Sequence, residues 1–335
     1  MSVSACILGC EGLRLTREET AFFRAVKPWG FILFARNVES PDQVRSLVSA
    51  LRETVGRDDA PVLIDQEGGR VQRLKPPHWP VYPPGRAYGR LKGVDRREMA
   101  RLGARLIAHD LAGLGINVDC VPVLDVPDPS GHEIIGDRAY GETVDEVALL
   151  GRAAAEGLIA GGVLPVIKHI PGHGRARADS HLELPVVDAD FDALDARDFA
   201  PFRALSDMPM AMTAHVIYTA IDRKRPATTS RKAFRRVIRG AIGYDGLVMS
   251  DDLSMKALSG DFRDRARDAL AAGCDVVLHC NGDMAEMKAV ADGCAPLKGQ
   301  AKRRAAAALG RLPRAPEPLD VEAARARFAA AMAEG

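Results

Sequence analysis

Eight short apolar runs recur along the chain, each followed within a residue or two by side chains that can ionise or hydrogen-bond. The runs are ACILG (5–9), GFILF (30–34), PVLID (61–65), INVDCVPV (116–123), LPVIKH (164–169), PMAMTAH (209–215), GLVMSD (246–251) and CDVVLHC (274–280). Runs this short and this continuously apolar are the signature of strands buried on both faces, as in a parallel sheet. Amphipathic, helix-like stretches separate them. SPDQVRSLVSALRETV (40–55) offers Ser40 as N-cap and Pro41 at the first helical position, where a missing N–H costs nothing. The stretch 95–115 ends at Gly113 and Gly115, and further helices are expected over 144–162 and 262–273. No GxGxxG or GxxxxGK[ST] follows the first strand, which disfavours a doubly wound dinucleotide or P-loop fold. Eight strand-helix units predict a single-domain α/β chain, a (β/α)8 barrel over 1–298. Two Ala/Arg-rich helices split by PRAPEP form a C-terminal extension over 299–335, packed on the barrel.

The barrel makes a demand on the sequence, because active sites in this fold are built at the C-terminal ends of the strands. The strand ends read Asp65-Gln66-Glu67, Asp125, Lys168-His169, Thr213-Ala214-His215, Ser250-Asp251-Asp252 and His279-Cys280-Asn281. Carboxylates and imidazoles in such places are costly to bury without partners and so are hard to explain as packing. Thr213 and Met249 are assigned to packing, and His215 and His279 to the site wall or the core behind it.

Lys and Arg total 46 against 45 Asp and Glu, so no broad field favours nucleic acid or a lipid surface. A small, locally recognised ligand is expected. Six cysteines lie scattered without CxxC spacing, as expected of reduced, buried thiols. The start MSVSACILGC resembles a lipoprotein cleavage site, but no basic residue precedes it and its apolar run is shorter than the roughly 7–15 residues of a signal core. It is read as the first strand, in a soluble, cytoplasmic protein.

The segment IKHIPGHGRARADSH (167–181) gathers Lys168, His169, His173, Asp179 and His181. Three chemistries suit such a cluster. A zinc site would pair His169 with His173 on a helix, which Pro171 and Gly172 between them oppose. A Schiff-base lysine at Lys168 would need a depressed pKa, whereas carboxylates at neighbouring strand ends would favour its charged form. A proton relay would use Asp179 to orient His181, two residues on in an extended segment, with Gly172 and Gly174 letting the loop move.

Several segments together resemble the β-N-acetylglucosaminidases of glycoside hydrolase family 3. They are LIDQEGGRVQRL, KHIPGHG followed by ADSH, and LVMSDDLSM, supported by GFILFARN, GINVDCVPVLDV, IGDRAYG, MTAHVIY and AAGCDVVLHCN. The order is kept over most of residues 1–290, and the absence of a large second domain is similar to the single-domain, Gram-negative-type members, cytoplasmic enzymes of peptidoglycan recycling. The resemblance implies Asp251 as nucleophile, His181 as general acid/base and Asp179 as its partner. It implies sugar-binding roles for Asp65, Arg73, Arg138, Lys168 and His169. The expected reaction is retaining hydrolysis of terminal β-linked N-acetylglucosamine from GlcNAc-anhydroMurNAc muropeptides. A carbohydrate is the expected partner, with no metal or other cofactor, no nucleic acid, no membrane, and a monomeric chain. Phosphorolysis, an aldolase using Lys168, and a non-catalytic sugar-binding barrel stand as alternatives.

Overall fold

All eight apolar runs become neighbouring parallel strands. The computed structural model describes residues 2–129, 131–180 and 182–333. Its strands are β1 (Ser4–Leu8), β2 (Pro28–Leu33), β3 (Val62–Ile64), β4 (Val118–Asp119), β5 (Leu164–Ile170), β6 (Met210–Thr213), β7 (Leu247–Asp252) and β8 (Val276–His279). Each pairs with the next, and β1 pairs with β8 (Cys6 opposite Val277), closing the barrel.

Side chains alternate across each strand. One set, including Ile7, Trp29, Leu63, Val118, Leu164, Met210, Leu247 and Val276, fills the barrel interior. The alternate set, including Leu8, Phe31, Ile64, Ile167, Ala211, Val248 and Val277, packs outward against the helices. Both faces are therefore apolar, which explains the unbroken runs. The period also aims three polar residues. Asp65 follows Leu63, Lys168 follows Leu164 and Val166, and Asp251 follows Leu247 and Met249, so each continues an inward-facing row at the C-terminal mouth.

The helices start and stop where their caps predict. Ser40 accepts a hydrogen bond from the Gln43 amide at 3.3 Å, Pro41 occupies the first turn, and Gly56 ends the helix at φ +61°, the left-handed conformation glycine adopts without a Cβ clash. The helix predicted over 95–115 runs Arg96–Ala112, capped by Asp95.

Strand β4 is much shorter than 116–123. Pro122 has no N–H for the ladder, and the Val121 amide turns back on the Asp119 carbonyl at 2.8 Å. β5 still donates the amides of Val166 and Lys168 to the carbonyls of Val121 (3.0 Å) and Pro122 (3.1 Å), and a bridge pairing returns at Val123, opposite Lys168.

Beyond β8, the helix Gly299–Leu309 sets Ala305 and Ala308 in the same buried cluster as the barrel interior. The helix Val321–Ala333 lies on Arg96–Ala112, where Arg325 pairs with Asp110 at 2.6 Å and Phe328 packs near Tyr82 and Tyr88. Among the described residues no helix is long and apolar enough to cross a membrane.

Candidate active site

The mouth of the barrel opens into a cavity of about 350 Å³, a size suited to a small ligand (roughly 300–1,000 Å³). Six of the eight predicted site residues line it: Asp65, Arg73, Arg138, Lys168, His169 and Asp251. Asp179 is half-buried on the loop beyond β5 and is not among the lining residues. His181 lies outside the described residues.

One wall is a chain of alternating charges. Asp65 leaves β3 directly, and residues Gln66–Gly68 fold back on Val71–Gln72 as a small antiparallel pair. The tight turn uses Gly68 and Gly69 at φ +93° and +56°. Gln66 Oε1 accepts from the amides of Arg73 (2.9 Å) and Leu74 (3.0 Å), which returns Arg73 to Asp65, where Nη2 donates to Oδ2 at 3.2 Å. Lys168 Nζ bridges Asp65 Oδ1 at 2.9 Å and Glu67 Oε1 at 2.6 Å. Arg138 grips Glu67 with two hydrogen bonds, 2.9 and 2.8 Å. The order Arg73, Asp65, Lys168, Glu67, Arg138 gives each buried carboxylate two cations.

Burial raises a carboxyl pKa, but here the cations prevail. Lys168 and Arg73 hold Asp65 well below the usual range, and Arg138 and Lys168 hold Glu67 at about 2. Burial likewise lowers the lysine, yet Asp65 and Glu67 override it and push Lys168 upward. A permanently charged lysine suits hydrogen bonding to hydroxyl groups and opposes Schiff-base chemistry, which needs the free amine. Glu67 was not singled out beyond its place at a strand end, although it makes two of the four links in this chain of charges. Phe34, whose ring lies under the Arg73 guanidinium at 5.0 Å, and Arg70 also line the cavity and were not anticipated.

The histidines of the loop are held separately. His169 Nδ1 meets Asp125 Oδ2 at 2.7 Å, while Asp125 Oδ1 accepts from the amides of His169 (3.2 Å) and His173 (2.6 Å). Burial drops His173 to about 4, against the pull of Asp125, so its ring is neutral near pH 7. The backbone between His169 and His173 is a turn after β5 and not a helix. Among the described residues, no group of three or more His, Cys, Asp or Glu side chains is arranged to hold a metal ion.

One expectation for the loop changes. Gly172 and Gly174 serve close packing. A Cβ on Gly174 would stand 1.9 Å from the Val126 carbonyl oxygen, and one on Gly172, whose φ is +133°, would stand 2.9 Å from Asp198. The Asp179 carbonyl accepts from the amides of Leu182 (2.9 Å) and Glu183 (3.0 Å). The i, i+2 relation expected between Asp179 and His181 involves a residue outside the described ones.

Asp251 and Asp252 at the end of β7 are distinguished by their bonds. Asp252 spends its carboxylate on the chain, accepting from the amides of Ser254 (3.0 Å) and Cys280 (3.1 Å) and from the Ser254 hydroxyl. Asp251 Oδ1 accepts from the Asp252 amide at 2.8 Å, an arrangement that orients the carboxylate within the cavity it lines.

Residues 10–312 match the model of the glycosyl hydrolase family 3 N terminal domain. The chain belongs to this family. It is similar to the beta-hexosaminidases of Methylococcus capsulatus (40% identity over 274 residues, covering 81% of this chain and 80% of the relative) and Alkalilimnicola ehrlichii (40% over 293 residues, 84% and 82%). Its fold resembles native NagZ from Neisseria gonorrhoeae, with TM-score 0.83, 32% identity and coverage of 100% of this chain and 97% of that one. The same NagZ in complex with N-trifluoroacetyl-D-glucosamine aligns at TM-score 0.83 and 31% identity, covering 99% and 97%. The (β/α)8 fold and the family expected from the motifs are thus both found. The family 3 chain described here is a glycosidase of the β-hexosaminidase group.

Proposed function

We propose that this enzyme is a retaining β-N-acetylglucosaminidase that releases terminal, non-reducing N-acetylglucosamine from peptidoglycan fragments of the GlcNAc-anhydroMurNAc type in the cytoplasm. The observation that carries the reading is one cavity lined both by Asp251 and by the alternating charges of Arg73, Asp65, Lys168, Glu67 and Arg138. Such a row offers fixed donors and acceptors to the hydroxyls of a single sugar ring. A carboxylate lining the same cavity suits attack on the anomeric carbon. The NagZ complex with N-trifluoroacetyl-D-glucosamine supports an N-acylated glucosamine as the ligand class.

In the proposed reaction an Asp251 oxygen forms a bond to the anomeric carbon as the bond to the leaving oxygen breaks, and the leaving oxygen takes a proton from the His181 imidazolium. Neutral His181 then removes a proton from water, whose oxygen displaces Asp251 and restores the carboxylate. Asp179 is proposed to stabilise the imidazolium form. The assignments of His181 and Asp179 rest on the ADSH motif, and that of Asp251 also on the cavity. His169, fixed by Asp125, and the charged wall are proposed to bind the sugar.

Incubation with a fluorinated N-acetylglucosaminide carrying a good leaving group, followed by peptide mass analysis, tests the reading. One sugar equivalent on Asp251 is expected. A trapped oxazoline product with an unlabelled protein would overturn the covalent route, and inactivity toward aryl N-acetylglucosaminides would overturn the substrate.

A further inference from the structure

Three buried side chains behind the nucleophile form a circuit that begins at its amide and ends at the carbonyl of the next residue, Asp252. Asp251 donates its amide to Thr213 Oγ1 at 3.4 Å, Thr213 and Thr228 share a hydrogen bond at 2.7 Å, and Thr228 Oγ1 lies 2.7 Å from His215 Nδ1. His215 Nε2 completes it, 3.0 Å from the carbonyl oxygen of Asp252. Thr213, His215 and Thr228 are fully buried. They come from β6, from the residues just beyond it, and from a one-turn helix at Ala227–Thr229.

The proton inventory gives every link one direction. A carbonyl can only accept, so His215 Nε2 carries a hydrogen. Burial lowers the His215 pKa despite the opposing charge of Asp251, so the ring is neutral and Nδ1 must accept. Thr228 therefore donates to Nδ1. Its one hydrogen cannot also serve the Ala214 carbonyl oxygen, 3.1 Å away. Thr213 in turn donates to Thr228, which leaves the Thr213 lone pairs to receive the Asp251 amide. The longest link is that last one, at the residue whose position matters most for attack.

We propose that Thr213, Thr228 and His215 are positioning residues for the reaction, a directed hydrogen-bond circuit that holds the Asp251 amide and the Asp252 carbonyl, on either side of the Asp251–Asp252 peptide unit, and so aims the nucleophile. The proposal rests on Asp251 being that nucleophile. None of the three side chains lines the cavity, so they act through the backbone and not on the sugar. A core threonine needs only volume, whereas this circuit needs the Thr228 hydroxyl, since valine of equal shape would leave Nδ1 without a donor and Thr213 without an acceptor.

Thr228→Val and Thr228→Ser test it, with Thr213→Val and Thr213→Ser as a second pair should the first valine variant fail to fold. Single-turnover labelling of Asp251 by the fluorinated sugar should slow roughly 10- to 100-fold in each valine variant, the scale expected of a small misplacement of a reacting group. Affinity for N-acetylglucosamine should not change, and the serine variants should recover most of the rate. A valine variant that labels Asp251 at the wild-type rate, or a serine variant no faster than its valine partner, overturns the circuit alone. A label on a residue other than Asp251 in the wild-type enzyme overturns the nucleophile assignment first and the circuit with it.

Discussion

Replacing Lys168 by Met isolates the charge that joins the two halves of the sugar-binding wall. Methionine keeps the length and apolar stem of the side chain and removes only the ammonium, which sits 2.9 Å from Asp65 and 2.6 Å from Glu67 with 2% of its side chain exposed. Breaking a buried ion pair by deleting one partner costs about 3–5 kcal/mol, because the other charge stays buried without compensation. An unfolding entropy of roughly 2.1 cal/mol/K per residue means that each kcal/mol moves Tm by about 1.4 °C in a chain of 335 residues. The expected drop is therefore about 4–7 °C by calorimetry at pH 7.

The pH dependence carries the sharper signature. In the native protein the folded-state pKa of Glu67 is depressed from its ordinary 4.5 to about 2, which contributes roughly 3 kcal/mol of stability above pH 4.5. That contribution is lost as pH falls through 2. Without Lys168 the desolvation of Asp65 and Glu67 outweighs the two remaining arginines and raises their carboxyl pKa values, while Asp119, already held high by burial, rises further. The folded state then binds more protons than the unfolded chain, and K168M should gain more stability than wild type as pH is lowered from 7 to 5, a range in which wild-type Glu67 does not titrate. A K168M protein that melts within about 1 °C of wild type, against the few degrees expected here, would refute the electrostatic account of the wall. Unchanged pH dependence would do so equally.

Three further outcomes are expected. His181→Ala should slow hydrolysis of disaccharides by roughly 10²- to 10⁴-fold but aryl glycosides with good leaving groups far less. Equal losses on both substrates would remove His181 from the acid role. Gly174→Ala should cost about 1–3 kcal/mol in denaturant unfolding, because the new Cβ meets the Val126 carbonyl oxygen at 1.9 Å; a neutral result would mean that the loop base yields freely. Burial raises Asp198 from 3.8 to about 6 against the pull of Arg175. With the folded value above the unfolded one, this group should favour the folded state most in acid, by roughly 3 kcal/mol relative to neutral pH. That advantage is lost as pH rises from 3.8 through 6, and D198N should flatten Tm against pH over that interval.

The sequence spelled out the barrel because the physics that buries both faces of a parallel strand writes a continuous apolar run, and the same period places Asp65, Lys168 and Asp251 where the run ends. Where the backbone broke the period, the reading broke too. The Pro122 interruption cut β4 to two residues. The sugar-binding wall was legible only as separate residues. Its central link, Lys168 to Asp65, spans 103 positions, and no local pattern announces which carboxylate a lysine will meet. Glu67 was only one of three polar residues at the end of β3, because its importance comes from Lys168 and Arg138, both distant in sequence. The threonines behind Asp251 were hidden for a different reason. In a strand Thr213 is an ordinary β-branched residue, and Thr228 sits in a polar connection. A hydroxyl becomes informative only when a neighbouring proton inventory forces its direction, and that requires the imidazole of His215 and two backbone groups to be in place around it. The chemistry of the site is thus written at two ranges: charges at strand ends, which the period exposes, and hydrogen directions within the core, which only the assembled fold determines.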